Sequence, residues 1–83
     1  MNITKIVVVL YIHKENRKID IEIPVDITAS ELIVGLNTAY KLGMDTSNLS
    51  HCYLKTENPI ALLKGNKQLY EYGLRNGTII NYV

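Results

Sequence analysis

The chain carries a single cysteine, Cys52, in 83 residues. One thiol cannot close an internal disulfide, and small secreted domains usually depend on several, so a reducing compartment and a cytoplasmic location are expected. Long apolar runs are missing as well. The longest, Ile6 to Ile12, falls far short of the roughly 20 residues of a membrane helix, so direct membrane insertion is not expected. Lys5 ahead of that run gives it a passing likeness to a signal peptide. However, His13, Lys14 and Glu15 end the run at once and no small-residue cleavage site follows, so a buried strand accounts for it better. Excess charge of one sign is also absent. A net charge of +1 offers no field that would gather nucleic acid, anionic lipid or a strongly charged substrate.

The usual marks of chemistry are equally scarce. No glycine-rich phosphate loop and no zinc-ligand spacing occur, so neither cofactor nor metal is expected. His51 and Cys52 are neighbours, but adjacent residues of a strand point to opposite faces and cannot act as a nucleophile–base pair. Cys52 alternates with Leu54 and reads as a small buried apolar residue. Asp20 and Glu22 share one polar strand face, where solvated surface is the ordinary outcome and a catalytic pocket the rare one. Lys64, Lys67 and Arg75 are read as solvated surface in the same way. No catalytic residue is assigned, and the chain is not expected to be an enzyme.

What is present is a regular alternation of elements. Ile3 to His13 is rich in valine and isoleucine and reads as a central strand. The polar stretch Lys14 to Arg17 turns the chain. From Lys18 to Val25, Ile19, Ile21 and Ile23 alternate with Lys18, Asp20 and Glu22, the pattern of a half-buried strand, and Pro24 suits an edge. Thr28 and Glu31 form a capping box. Leu32, Ile33, Leu36, Ala39 and Tyr40 follow at helical spacing, and Gly43 stands where a left-handed cap belongs, so a helix is predicted over 29–42. Gly35 in its interior would cost about 1 kcal/mol relative to alanine, for which a close approach of helix to sheet is the expected reason. His51–Thr56 and Ile60–Leu63 read as two further strands, Leu69–Leu74 as a single helical turn, and Thr78–Val83 as the last strand after an Asn76-Gly77 turn.

The order β-β-α-β-β-β, with its most apolar strands first and last, predicts an α+β β-grasp fold over residues 1–83 as a single domain: a mixed sheet with one main helix packed across one face, and the last strand parallel to the first between it and the third. If Ile6, Val8, Leu10 and Ile12 face the helix, Val7, Val9 and Tyr11 face away. The last strand then adds Ile79 and Val83 to that open face, and the third adds Tyr53 with His51 and Lys55 at the edge. An apolar stripe containing tyrosines is the candidate protein-interaction surface. The same stripe leaves homo-oligomerisation open.

The stretch Leu69-Tyr70-Glu71-Tyr72-Gly73-Leu74-Arg75-Asn76-Gly77-Thr78-Ile79-Ile80, preceded by Gly65-Asn66-Lys67-Gln68, resembles the segment before the final strand of ubiquitin-like proteins. The resemblance implies that Tyr72 anchors a nearby loop through its hydroxyl. It also implies that the open face serves recognition, with Tyr53 where ubiquitin places a central aliphatic residue. Among β-grasp proteins, size and pattern look closest to the YukD/EsaB family of Gram-positive type VII secretion systems. That implies a cytoplasmic accessory or regulatory component of a machine exporting small helical WXG-type proteins, with part of that machine as protein partner. One departure is informative. Conjugating and sulfur-carrying β-grasp proteins close on Gly-Gly, and no Gly-Gly pair occurs in these residues, so conjugation is not expected. A ubiquitin-like modifier or sulfur carrier, and a stand-alone nucleic-acid-binding regulator, are the alternatives.

Overall fold

A computed structural model describes residues 4–83. The first strand, β1 (Lys5–Ile12), alternates between exposed and buried positions; the predicted start at Ile3 lies outside the described residues. A 3-10 turn at His13–Glu15 and Asn16, in the left-handed conformation, reverse the chain into β2 (Arg17–Pro24). The main helix, α1 (Ala29–Tyr40), opens on the predicted capping box. The Thr28 hydroxyl accepts from the Glu31 N–H at 3.1 Å, and the Glu31 carboxylate accepts from the Thr28 N–H at 3.0 Å. Two of the four donors left free at a helix start are thereby satisfied.

The helix stops two residues before the predicted end. Lys41, not Gly43, takes the left-handed cap at φ 52°, and the Leu42 N–H returns to the Asn37 carbonyl. The Asn37 side chain then holds the next loop from both sides, accepting from the Met44 N–H at 2.9 Å and donating to the Met44 carbonyl at 3.0 Å. This amide clamp explains the early stop, because it requires the chain to turn back over the last helical turn. Gly35 also departs from expectation. It faces solvent, and an added Cβ would meet nothing within 4 Å, so no close approach explains it.

The remaining strands are short: β3 (Leu54–Glu57), β4 (Ala61–Leu63) and β5 (Ile79–Tyr82). The sheet order is β2-β1-β5-β3-β4, with β1 and β5 parallel and the other pairs antiparallel. This is the α+β β-grasp arrangement, with the last strand between the first and third. The third strand starts later than predicted: Thr46–His51 forms a 3-10 segment capped by Asp45, and His51 belongs to it. Ile60 likewise precedes β4, in the turn.

The core lies between the sheet and α1. Val8, Leu10 and Ile12 of β1 are fully buried with Ile80, Leu54 and Leu63, and Ala29, Leu32, Ile33 and Leu36 close it from the helix. Each such side chain contributes about 1.5–3 kcal/mol through burial. Two buried threonines are satisfied internally. The Thr78 hydroxyl donates to the Asn58 carbonyl at 2.8 Å and accepts from the Arg75 N–H, and the Thr56 hydroxyl donates to the Pro59 carbonyl at 2.7 Å. The single helical turn predicted over Leu69–Leu74 is a 3-10 segment at Leu69–Tyr72, and the Tyr72 hydroxyl brackets Lys64, donating to the carbonyl at 3.0 Å and accepting from the N–H at 3.4 Å.

Candidate functional site

Cys52 and His51 do not form a nucleophile–base pair. Cys52 is buried, and its thiol donates to the Asp45 and Asn48 carbonyls at 3.4 and 3.7 Å. The exposed His51 ring meets the Asn48 side-chain amide through Nδ1 at 3.1 Å. The Ser47 hydroxyl, followed by the Ser47 N–H, donates to the Asp45 carboxylate and lowers its pKa below the ordinary carboxylate value. Among the described residues no group of three or more His, Cys, Asp or Glu side chains could hold a metal ion, and no helix is long and apolar enough to cross a membrane.

The open face of the sheet is more distinctive. Strand pairing fixes its composition, because residues opposite one another across the ladders share a face. One row across the strands reads Asp20, Val9, Ile79, Glu57. The next reads Lys18, Tyr11, Asn81, Lys55, Leu62. Val7 stands one step before these rows, opposite Glu22. Val83 and Tyr53 lie beyond the second row and line one recess of about 400 Å³ together with His51. Of the eight predicted interaction residues, seven therefore line the open face or its end. His51 belongs to the turn leading to the face and reaches only the recess at its end.

The face is ordered by side chains that cross the strands. The Tyr11 and His13 rings stack at 3.8 Å between centroids, and the Lys18 ammonium lies 4.8 Å from the Tyr11 ring, within cation–π range. His13 Nε2 meets Asn81 Oδ1 at 2.7 Å, and Asn81 Nδ2 donates to Glu57 at 3.4 Å. This polar chain divides the apolar stripe that the sequence suggests. Val7, Val9 and Ile79 lie on one side of it. On the other, a shallow depression of about 710 Å³ runs past Tyr11, Lys55 and Asn81 to Ile60, Leu62 and Val83.

Two apolar members of this surface escaped the sequence reading. Ile60 is 91% exposed and Leu62 50%, while the predicted Val83 is 85% exposed and Tyr53 48%. One exposed isoleucine would be ordinary, but Ile60, Leu62 and Val83 line a single depression, and a grouped apolar patch is the informative case. The pairing of Lys55 with Leu62 places Leu62 on the open face, and Ile60, two residues earlier, follows it to that side. Three residues are too few to reveal alternation from sequence alone.

Comparison with known proteins agrees with this architecture. The family model described as WXG100 protein secretion system (Wss), protein YukD, matches residues 7–81. Among solved structures, the chain resembles a ubiquitin-like domain of an Arabidopsis thaliana protein (TM-score 0.69, 18% identity, 95% of this chain and 76% of that one). It also resembles the C-terminal ubiquitin-like domain of mouse tubulin-specific chaperone e (TM-score 0.67, 16% identity, 94% and 84%). The ubiquitin-like domain of yeast Ddi1 is similar too (TM-score 0.63, 16% identity, 96% and 91%). At these identities the likeness is one of fold. No curated protein sequence matches the chain significantly.

Proposed function

We propose, since the chain belongs to the YukD family of the WXG100 protein secretion system, that it serves such a system from the cytoplasm as a non-catalytic interaction module. Its working surface is the open face of the sheet, which receives a protein partner. The observation that carries this is the group of exposed apolar residues on and beside that face, Val7, Tyr53, Ile60, Leu62 and Val83. Surfaces of this kind mark protein contacts more often than they serve the monomer. The Cys52 thiol is buried and donates to backbone carbonyls, while the His51 ring bonds Asn48, which supports a role without covalent catalysis.

Deletion of the gene, followed by an assay for export of WXG-type substrates, tests the reading. Loss of export, restored by the wild-type chain but not by Tyr53→Asp, is expected, with the variant folded as judged by circular dichroism. Unchanged export together with unchanged transcript levels of the secretion locus would overturn it. Unfolding by Tyr53→Asp would instead remove Tyr53 from the surface.

A further inference from the structure

The two charged rows of the open face have a symmetry that a single copy does not use. In the first row Asp20 and Glu57 flank Val9 and Ile79; in the second Lys18 and Lys55 flank Tyr11 and Asn81. Asp20 and Lys18 both lie on β2, and Glu57 and Lys55 both lie on β3, two residues apart in each case. The acids thus occupy one row and the bases the next. Among the described residues none of these four charges forms an ion pair within the chain.

We propose that this face binds a second copy of the same chain, about a two-fold axis that runs across the strands between the two rows. The proposal rests on reading the open face as an interaction surface. A rotation of this kind lays the first row of one copy against the second row of the other, strand over the equivalent strand. Asp20 then faces Lys18 of the other copy, and Glu57 faces its Lys55. Val9 meets Tyr11, and Ile60, beside Glu57 in the β3–β4 turn, meets Leu62. Each contact occurs twice, as an isologous interface requires. A copy turned instead about an axis along the strands sets acid against acid and base against base, so charge favours the first of these two aligned orientations.

The dimensions allow it. Sheets pack face to face about 10 Å apart, a gap that lysine and glutamate side chains bridge from opposite sides. Twisted sheets cross at about 30°, which displaces the ends of these rows by about 4 Å, within the reach of the same side chains. Five strands make a sheet about 24 Å across, on a molecule of 37 × 26 × 21 Å. That face suits an interface near the standard of about 800 Å² per partner. The His13–Asn81–Glu57 chain and the Tyr11–His13 stack fix the side chains before contact, which lowers the ordering cost of association. Tyr53 and Val83 lie beyond the second row and stay toward the rim, open to another protein.

Two double variants test the pairing. Lys18→Glu with Lys55→Glu makes both rows acidic, and Asp20→Lys with Glu57→Lys makes both basic. Light scattering of the wild-type chain from micromolar to millimolar concentration is expected to show the apparent mass doubling, with the transition moving to higher concentration as salt is added. Each variant alone should associate at least about tenfold more weakly. An equimolar mixture should recover a mixed dimer, because every facing pair is again opposite in sign, and its recovery shows that both variants fold. A wild-type chain that stays monomeric at millimolar concentration overturns the proposal, as do variants that dimerise like wild type or a mixture that fails to recover. A monomeric wild type whose charge variants nonetheless lose export assigns the face to a different protein, which also overturns the second-copy proposal. Tyr53→Asp reports on the partner reading separately, since Tyr53 is outside the facing rows.

Discussion

The two edges of the sheet are protected by different means. β2 is eight residues long and exposes Lys18, Asp20 and Glu22 in alternation, with Pro24 at its end. Charge and proline blunt the open backbone of such a strand. β4 has three residues and exposes Leu62, with Ile60 just before it. Here brevity provides the protection. The lesson is that a short edge can carry apolar side chains that a long edge cannot. The apolar part of the candidate interaction surface accordingly gathers at the β4 side.

The largest effects should ignore this difference. Ile21 of β2 and Leu63 of β4 both point into the core. Ile21→Asp and Leu63→Asp should each unfold the domain, since an unpaired buried carboxylate costs several kcal/mol against the marginal stability of a small fold. Loss of the cooperative urea transition checks this, and survival of either variant would show that its edge is not part of the core. A smaller effect should separate the edges. The end of β4 is held by Tyr72 bracketing Lys64, whereas the end of β2 is held by backbone bonds from Val25 to Thr4 and from Tyr70 to Val25. Tyr72→Phe should therefore cost about 1 kcal/mol by urea denaturation, and no single side-chain deletion at the end of β2 has a matching hydroxyl to remove.

Changes to the exposed edge positions should barely alter stability but should differ in solubility. Ile60→Lys should stay within about 0.5 kcal/mol of wild type and lower the tendency to aggregate. Glu22→Ile, equally small in stability, should raise it by giving the long edge a flat apolar side. Turbidity on mild heating checks both. The smallest effect is set by pH. The Asp45 carboxylate, lowered by its bonds from Ser47, caps the turn leading to β3. Its contribution is fully present above the ordinary aspartate value of about 4 and is lost as pH falls through the lower folded value. Acid should loosen Thr46–His51 before the rest of the chain, read from amide exchange.

Much of the fold was legible because local signals agreed. The alternation of Ile19, Ile21 and Ile23, the Thr28–Glu31 box and the Asn76-Gly77 turn each name one element, and each holds in the structure. The sequence misled where a residue takes part in an arrangement beyond its own neighbourhood. Asn37 reaches past the helix end to clamp Met44 and so ends α1 at Tyr40. Cys52 and Leu54 are buried in alternation as in a strand, yet His51 belongs to the turn that Asp45 caps. Gly35 has no packing role, and Gly35→Ala should gain about 0.5–1 kcal/mol in thermal or urea unfolding. The charged rows could not be read in advance, since they exist only once the registers of β2, β1, β5 and β3 are joined.

The joining of the first and last strands at the middle of the sheet has a kinetic meaning. The Val7 N–H donates to the Asn76 side chain at 2.8 Å, the Gly77 N–H returns to the Val7 carbonyl at 3.0 Å, and β5 then runs parallel to β1. Contacts spanning so much of the chain slow folding, because loop-closure entropy is spent before the contacts form. During synthesis Val8, Leu10 and Ile12 have a strand neighbour on one side only until the residues after Asn76 leave the ribosome. Until that pairing forms, the apolar edge of β1 is open to other chains, and β5 acts as the latch that ends that exposure.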